Sequence, residues 1–175
     1  MDPDDERKAR LEALFAAHAA SVLGYARRRS DPVTADDVLS EVFAVAWRRL
    51  DLIPVDAKPW LLACARRVLA NVRRGERRRG ALIDRLTAVA PRVEGPPEAT
   101  GNAVVDALAK LSERDREVLR LVAWEGLSPE QAGAALGCSR HALSMRLNRA
   151  RKRLLDALPA TDRPRSQSLT EACHD

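Results

Sequence analysis

LSPEQAGAALGCSRHALSMRLNRARKRLLDAL, residues Leu127–Leu158, reads as two helices with a tight break between them. Ser128 is placed to cap the first helix, Pro129 suits its first turn, and Gln131 completes a Ser-x-x-Gln capping box. Gly137 is placed to end that helix in a left-handed conformation, and Ser139 to cap the second. In the second helix Leu143, Leu147, Ala150 and Leu154 recur at i, i+4, i+7 and i+11, one apolar stripe. The rest of its surface carries Arg140, Arg146, Arg149, Arg151, Lys152 and Arg153, with no acid before Asp156. A short capped helix, a glycine turn and a basic helix with a narrow apolar seam form a helix-turn-helix pattern, whose second helix enters the DNA major groove. An ordinary hairpin with a solvated basic face is the bland alternative. The agreement of caps, turn and charge asymmetry speaks against it.

The composition fits this reading. Apolar residues make up 46% of the chain but aromatics only 3%, so the cores must be built from Leu, Ala and Val, which favours helix over sheet. The formal net charge is +5 and most of the basic residues are arginines, whose planar fork suits phosphate and guanine. A GC-rich genome would raise the arginine content too, so the position of the charge is more informative than its amount. No apolar run reaches the length of a membrane span, and MDPDDERKAR is unlike a signal peptide; the expectation is a cytoplasmic protein without membrane insertion. Cys64, Cys138 and Cys173 are an odd set without close spacing, which argues against a disulfide framework. Cys64 and Cys138 are expected as small core residues, and Cys173-His174 is a lone pair of metal-type residues on the tail.

Upstream, Glu6 to Arg29 is expected to be helical, in one or two segments, with Leu11, Leu14, Phe15, Val22 and Tyr25 on one face and His18 beside it as a packed residue. Ser30-Asp31-Pro32 interrupts the helix. Thr34 is expected to cap the next one, placing Asp36 and Asp37 in its first turn. Its core side is Val38, Leu39, Val42, Phe43, Ala46, Trp47 and Leu50. Asp37 and Glu41, at i and i+4, share the other face with Ser40 and Arg48. Like charges at that spacing repel, so these acids serve either an outside partner or simple solvation. Leu52 to Pro59 reads as a loop, and Trp60 to about Arg74 as a helix with Trp60, Leu61, Cys64, Val68 and Val72 on the core side. Arginines crowd the other side and continue to Arg79, a polyanion surface. Residues 81–102 read as a linker, with a short helix over Ala81–Val89 and a Pro- and Gly-rich remainder. Asn102 to Ala123 is helical, restarting at a cap on Ser112, and Trp124-Glu125-Gly126 ends it. Residues 159–175 read as a polar, disordered tail.

The two halves together resemble the extracytoplasmic-function sigma factors, the small two-domain branch of the bacterial sigma-70 proteins, over about Leu11 to Leu158 apart from the linker. ADDVLSEVFAVAW (Ala35–Trp47) is similar to the region 2.2 motif A-x-D-x-x-Q-E-x-F-x-x-x-W. WLLACARRVLANVRRGERRR (Trp60–Arg79) resembles the helix that follows it, and LSERDREVLRLVAWEGLSPEQAGAALGCSRHALSMRLNRARKRL (Leu111–Leu154) resembles region 4. The resemblance implies an all-α protein of two small helical domains joined by a flexible linker: residues 1–80 as region 2, 81–102 as linker, 103–158 as region 4 and 159–175 as tail. It implies no catalysis and no cofactor. It implies binding to core RNA polymerase, with Asp36, Asp37, Ser40, Glu41 and Arg48 facing the β′ clamp helices and region 4 near the β flap.

It further implies promoter contacts. The loop with Leu52, Ile53, Val55, Asp56 and Lys58 would capture a flipped base of the −10 single strand. Trp60, Arg66, Arg67, Asn71, Arg73 and Arg74 would line that strand. Arg140, His141, Ser144, Met145, Arg146, Asn148, Arg149 and Lys152 would face duplex DNA at −35. Of these, Ser144, Asn148 and Arg149 are the candidates for base edges, and Arg140, Arg146 and Lys152 for phosphates. An anti-sigma protein wedged between the domains is a further implied partner. The chain departs from the family pattern at Ser40, where glutamine is usual, and at His141-Ala142-Leu143-Ser144-Met145, where Gly-Thr-Val-Lys-Ser is common. Two other classes fit the sequence less well. A response regulator also carries such a helix-turn-helix, but its receiver domain needs strands that the first half does not show. A metal-dependent nuclease using Asp36, Asp37 and Glu41 lacks a nearby histidine or phosphate loop, and Asp36 falls off the Asp37/Glu41 face.

Overall fold

The computed structural model describes residues 3–87 and 102–159, which fold as seven α-helices and one short 3-10 turn. The tail, Cys173-His174 and most of the linker lie outside the described residues. The first half is α1 (Pro3–Arg27), α2 (Pro32–Arg48), the 3-10 turn (Leu50–Leu52) and α3 (Ala57–Thr87). The second half is α4 (Ala103–Lys110), α5 (Glu113–Ala123), α6 (Pro129–Leu136) and α7 (Arg140–Ala157).

In the first half Val22, Tyr25, Val38, Val42, Leu50, Leu61 and Leu62 are buried among the three helices. The segment expected to be one or two helices is a single helix, with Asp4, Asp5 and Glu6 in its first turn and Arg27 in its last, both favourable to the helix dipole. Phe15 is not a core residue: it is half exposed and meets Phe43 edge-on, ring centroids 4.8 Å apart. The cap of α2 is Asp31 rather than Thr34. Its carboxylate accepts the Thr34 N–H at 3.0 Å, and Pro32 opens the helix where its missing N–H leaves nothing unsatisfied. Asp36 and Asp37 therefore lie beyond the first turn. Trp47 is also displaced from the expected core, at 39% exposure, with the Arg7 guanidinium 5.4 Å from its ring centroid.

The third helix corrects the expected boundaries at both ends. It starts at Ala57, taking Lys58 and Pro59 from the loop, and runs through Gly75 and Gly80 to Thr87 instead of stopping near Arg74. Each glycine costs about 1 kcal/mol relative to alanine, but the intervening arginines are good helix formers and keep the helix intact.

The second half follows the expected punctuation closely. Asn102 and Ser112 cap α4 and α5. The capping box of Ser128 and Gln131 is complete in both directions, Gly137 ends α6 at φ 70°, and Ser139 caps α7. Arg116 fastens α4 to α5 by donating to the carbonyls of Leu108, Ala109 and Leu111, each at 3.0 Å, so the open end of α4 is satisfied. Leu143, Leu147 and Ala150 are buried as the stripe requires, whereas Val105, expected inside, is 41% exposed.

Gly133 sets how closely the turn approaches α6. A Cβ there would stand 2.8 Å from the carbonyl oxygen of Cys138, whose own N–H donates to the Gly133 carbonyl at 2.9 Å. Only a residue without a side chain lets the turn lie flat on the helix.

Candidate nucleic-acid interface

The caps and the Gly137 turn hold α7 by its apolar stripe, which leaves the opposite side to solvent. Arg140, His141, Met145, Arg146, Asn148, Arg149 and Lys152 are exposed there and Ser144 is half-buried. Arg149 is steadied by a bond from its Nε to the Met145 carbonyl at 3.3 Å. The helix is fixed against α5 by Asp115, which accepts from Arg153 Nη1 at 2.6 Å and from the Ser112 hydroxyl at 2.9 Å. Partial burial works to raise the Asp115 pKa, but the bonds from Arg153 and Ser112 and the charges of Arg153 and Arg149 outweigh it and hold the carboxyl below its ordinary value. A carboxyl depressed in the folded state contributes stability above the unfolded carboxylate range and loses it as pH falls through the lower folded value. Asp115→Asn is therefore expected to flatten the acid limb of the stability–pH curve below about pH 4, as followed by thermal unfolding.

The second basic surface is α3 with the loop before it. Arg67, Asn71 and Arg74 are exposed, Trp60 and Lys58 half-buried, and Leu52 and Val55 project into solvent at 69% and 108% exposure. Both are apolar side chains free to meet the flat face of a base. Ile53 is corrected: at 5% exposure it belongs to the core and presents no side chain to a nucleic acid. Arg66 and Arg73 are half-buried and line a cleft of about 680 Å³ shared with Arg146, Arg149 and Arg153 of the second half.

A third surface is the outer side of α2. Asp36, Asp37, Ser40, Glu41 and Arg48 are all exposed there. Glu41 and Arg48 pair at 3.0 Å, Asp36 stands 3.7 Å from Arg27, and the Ser40 hydroxyl donates to the Asp36 carbonyl at 3.0 Å. Exposed pairs of this kind contribute little to stability. The face is thus available to a partner without being needed by the fold.

The sequence reading missed the contact between the halves. Tyr25 Oη donates to Glu117 Oε1 at 2.7 Å, and Arg29 donates to Glu117 at 2.9 Å and to Glu125 at 3.1 Å. Arg28 also bonds Glu125. The Arg29 and Glu125 side chains are only 3% and 2% exposed, and the Arg29 guanidinium lies 3.6 Å from the Tyr25 ring centroid. Burial, reinforced by the Glu117 charge, pushes the Tyr25 phenol well above its ordinary range, so it remains a donor. Lys58 Nζ donates to the Glu125 carbonyl at 2.6 Å, and Gln131 Nε2 to Asp56 at 2.8 Å. A faint sequence signal existed: Glu117, Leu121 and Glu125 recur at i, i+4 and i+8, which places two acids in line with a core leucine.

Among the described residues no group of three or more His, Cys, Asp or Glu side chains is placed to hold a metal ion, and no helix is long and apolar enough to cross a membrane. Residues 14–79 match the Sigma-70 region 2 family and residues 101–154 match Sigma-70, region 4. The chain is 30% identical to the ECF RNA polymerase sigma factor SigL of Mycobacterium tuberculosis over 148 residues, 80% of this chain and 84% of that protein. It is 31% identical to the RNA polymerase sigma factor CnrH of Cupriavidus metallidurans, over 84% of this chain and 85% of that one. The solved structure of CnrH with the cytosolic domain of CnrY superposes with a TM-score of 0.58 at 28% identity, covering 84% of this chain and 88% of that one. The sigma factor RpoE of Bartonella quintana, solved with the anti-sigma factor NepR, shares the fold at a TM-score of 0.59 and 23% identity, over 83% and 94% of the two chains. With regions 2 and 4 both matched, in order and on an all-helical fold, the chain belongs to the extracytoplasmic-function family of RNA polymerase sigma factors, which serve transcription initiation.

Proposed function

We propose that this sigma factor binds core RNA polymerase through the outer side of α2, reads the −35 element with α7 and captures the −10 single strand with the Leu52–Asp56 loop and α3. The observation that carries this reading is the pairing of two separate basic surfaces on one chain. One is a capped recognition helix suited to duplex DNA. The other is an arginine-rich helix preceded by a loop with exposed Leu52 and Val55, suited to a single strand. A base taken out of the stack and held by such a loop stabilises the melted duplex by binding energy alone, so no catalytic group or cofactor is required. Asp36, Asp37, Ser40, Glu41 and Arg48 are assigned to the β′ clamp helices, and region 4 to the neighbourhood of the β flap. An anti-sigma factor is assigned as a further partner, since the Bartonella RpoE was solved with the anti-sigma factor NepR and CnrH with the cytosolic domain of CnrY. On this reading the working protein belongs in the cytoplasm, with the polymerase.

Purified protein added to bacterial core polymerase is expected to give promoter-specific transcription. Failure to co-purify with core polymerase at low salt would overturn the proposal. Within α7, Arg149→Ala is expected to relax −35 selectivity at a cost of about 1–3 kcal/mol at one base position, read by holoenzyme binding to a panel of −35 variants. A uniform loss across the panel would instead make Arg149 a phosphate contact.

A further inference from the structure

We propose that the cleft between α3, α5 and α7 is a binding site for a small polyphosphate, a ligand with two or more linked phosphates. The site goes beyond the promoter reading, because neither DNA nor polymerase is needed to fill it.

The first argument is charge. Arg66 and Arg73 of α3, Arg146, Arg149 and Arg153 of α7, and Arg29 just past α1 all line this one volume. The acids beside them are already engaged. Asp115 accepts from Arg153 and Ser112, and Glu117 from Tyr25 and Arg29. Glu113 stands 3.4 Å from both Arg73 and Arg116. Arg66 and Arg146 make no ion pair among the described residues, and Arg149 bonds the Met145 carbonyl through its Nε. Cations gathered in this way repel one another, and an anion among them removes that cost.

The second argument is unused hydrogen-bonding capacity. The Arg29 side chain is only 3% exposed. Its Nε donates to Glu117 and its Nη1 to Glu125 and the Tyr25 carbonyl, but the buried Nη2 has no acceptor. The Nε of Arg66 is likewise buried without an acceptor. The charges of Arg29 and Arg66 both act on Tyr25, so the two donors belong to the same end of the cleft. Buried donors are nearly always paired, and a guanidinium pairs best with an anion that takes two N–H groups at once. A phosphate is such an anion.

The third argument is size. A volume of about 680 Å³ lies within the range of about 300–1,000 Å³ that holds small ligands. Duplex DNA, whose major groove alone is about 12 Å wide, is too broad for it. A single strand sets a sugar between successive phosphates, whereas linked phosphates concentrate their charge in few atoms, as arginines converging from three places require. Leu69, Val118 and Leu136 add an apolar wall, against which a nucleoside attached to the phosphates would rest.

The test is calorimetric titration of the full chain, without DNA or polymerase, at physiological ionic strength. Tripolyphosphate is expected to bind one to one, about tenfold or more tightly than orthophosphate. Arg66→Gln and Arg146→Gln are each expected to weaken it about tenfold. Lys8→Gln, on the exposed surface of α1 away from the cleft, is expected to leave it unchanged. Far-UV circular dichroism establishes that each variant is helical. ATP binding at least as tight as that of tripolyphosphate supports a nucleotide in the site, and weaker ATP binding supports a free phosphate chain. Equal weakening in all three variants would reveal only a diffuse ion atmosphere and overturn the site. So would a one-to-one complex indifferent to both arginines. Binding confined to a short oligothymidine would overturn it too, making the cleft part of a strand path. The promoter reading is decided separately, by transcription with the holoenzyme.

Discussion

Leu143→Ala is expected to destabilise the second half by about 2–5 kcal/mol and to abolish duplex binding by α7. Leu143 is 0% exposed and starts the apolar stripe that anchors the recognition helix, so its loss leaves a cavity where α7 meets α5 and α6. A small helical unit has a net stability of only 5–15 kcal/mol at most, so such a loss consumes much of it. Thermal unfolding should show the change directly. Leu143→Met, which conserves volume, should cost less than about 1.5 kcal/mol and retain binding. If both variants behave like the wild type, α7 is held by something other than its stripe.

Glu41→Arg is expected to leave the fold unchanged and to weaken binding to core polymerase by at least about 2 kcal/mol, roughly 30-fold in Kd. The side chain is 52% exposed and pairs with exposed Arg48, so nothing in the core depends on it. The reversal places a second cation beside Arg48 on a surface assigned to a complementary partner. Affinity equal to that of the wild type would remove Glu41 from the interface and reopen the assignment of Asp36, Asp37 and Ser40 with it.

Local chemistry made the second half legible in the sequence. Ser112, Ser128 and Ser139 cap because their hydroxyls reach an N–H three residues on, and Gly137 terminates because it alone takes a positive φ freely. Such signals sit within a few residues of the structure they specify. In the first half two candidates competed locally, and Asp31 won over Thr34 because Pro32 is best tolerated at the first helical position. Burial was less legible at edges. Phe15, Trp47 and Val105 have the periodicity of core residues but lie where a small domain runs out of neighbours, and Ile53 is buried although it sits in a loop. The network between the halves left only the faint trace of Glu117, Leu121 and Glu125 in line. Arg29 and Glu117 are 88 residues apart in the chain, and nothing local in either segment names the other as its partner. Of the expected promoter-binding residues, those of α7 are exposed apart from half-buried Ser144, with Arg146 and Arg149 also lining the shared cleft, whereas those of α3 divide between solvent (Arg67, Asn71, Arg74) and that cleft (Arg66, Arg73).

The bare Cα of Gly133 has a consequence for how this protein could change over evolutionary time. The angle between α6 and α7 is set by the close approach of the Cys138 carbonyl to that glycine, and by the left-handed Gly137 beside it. The side chains that would read bases, from Arg140 to Lys152, take no part in fixing that angle. Aim and alphabet are thus written in different residues. The exposed letters of α7 can be exchanged one at a time, and new promoters adopted, without re-aiming the helix that carries them.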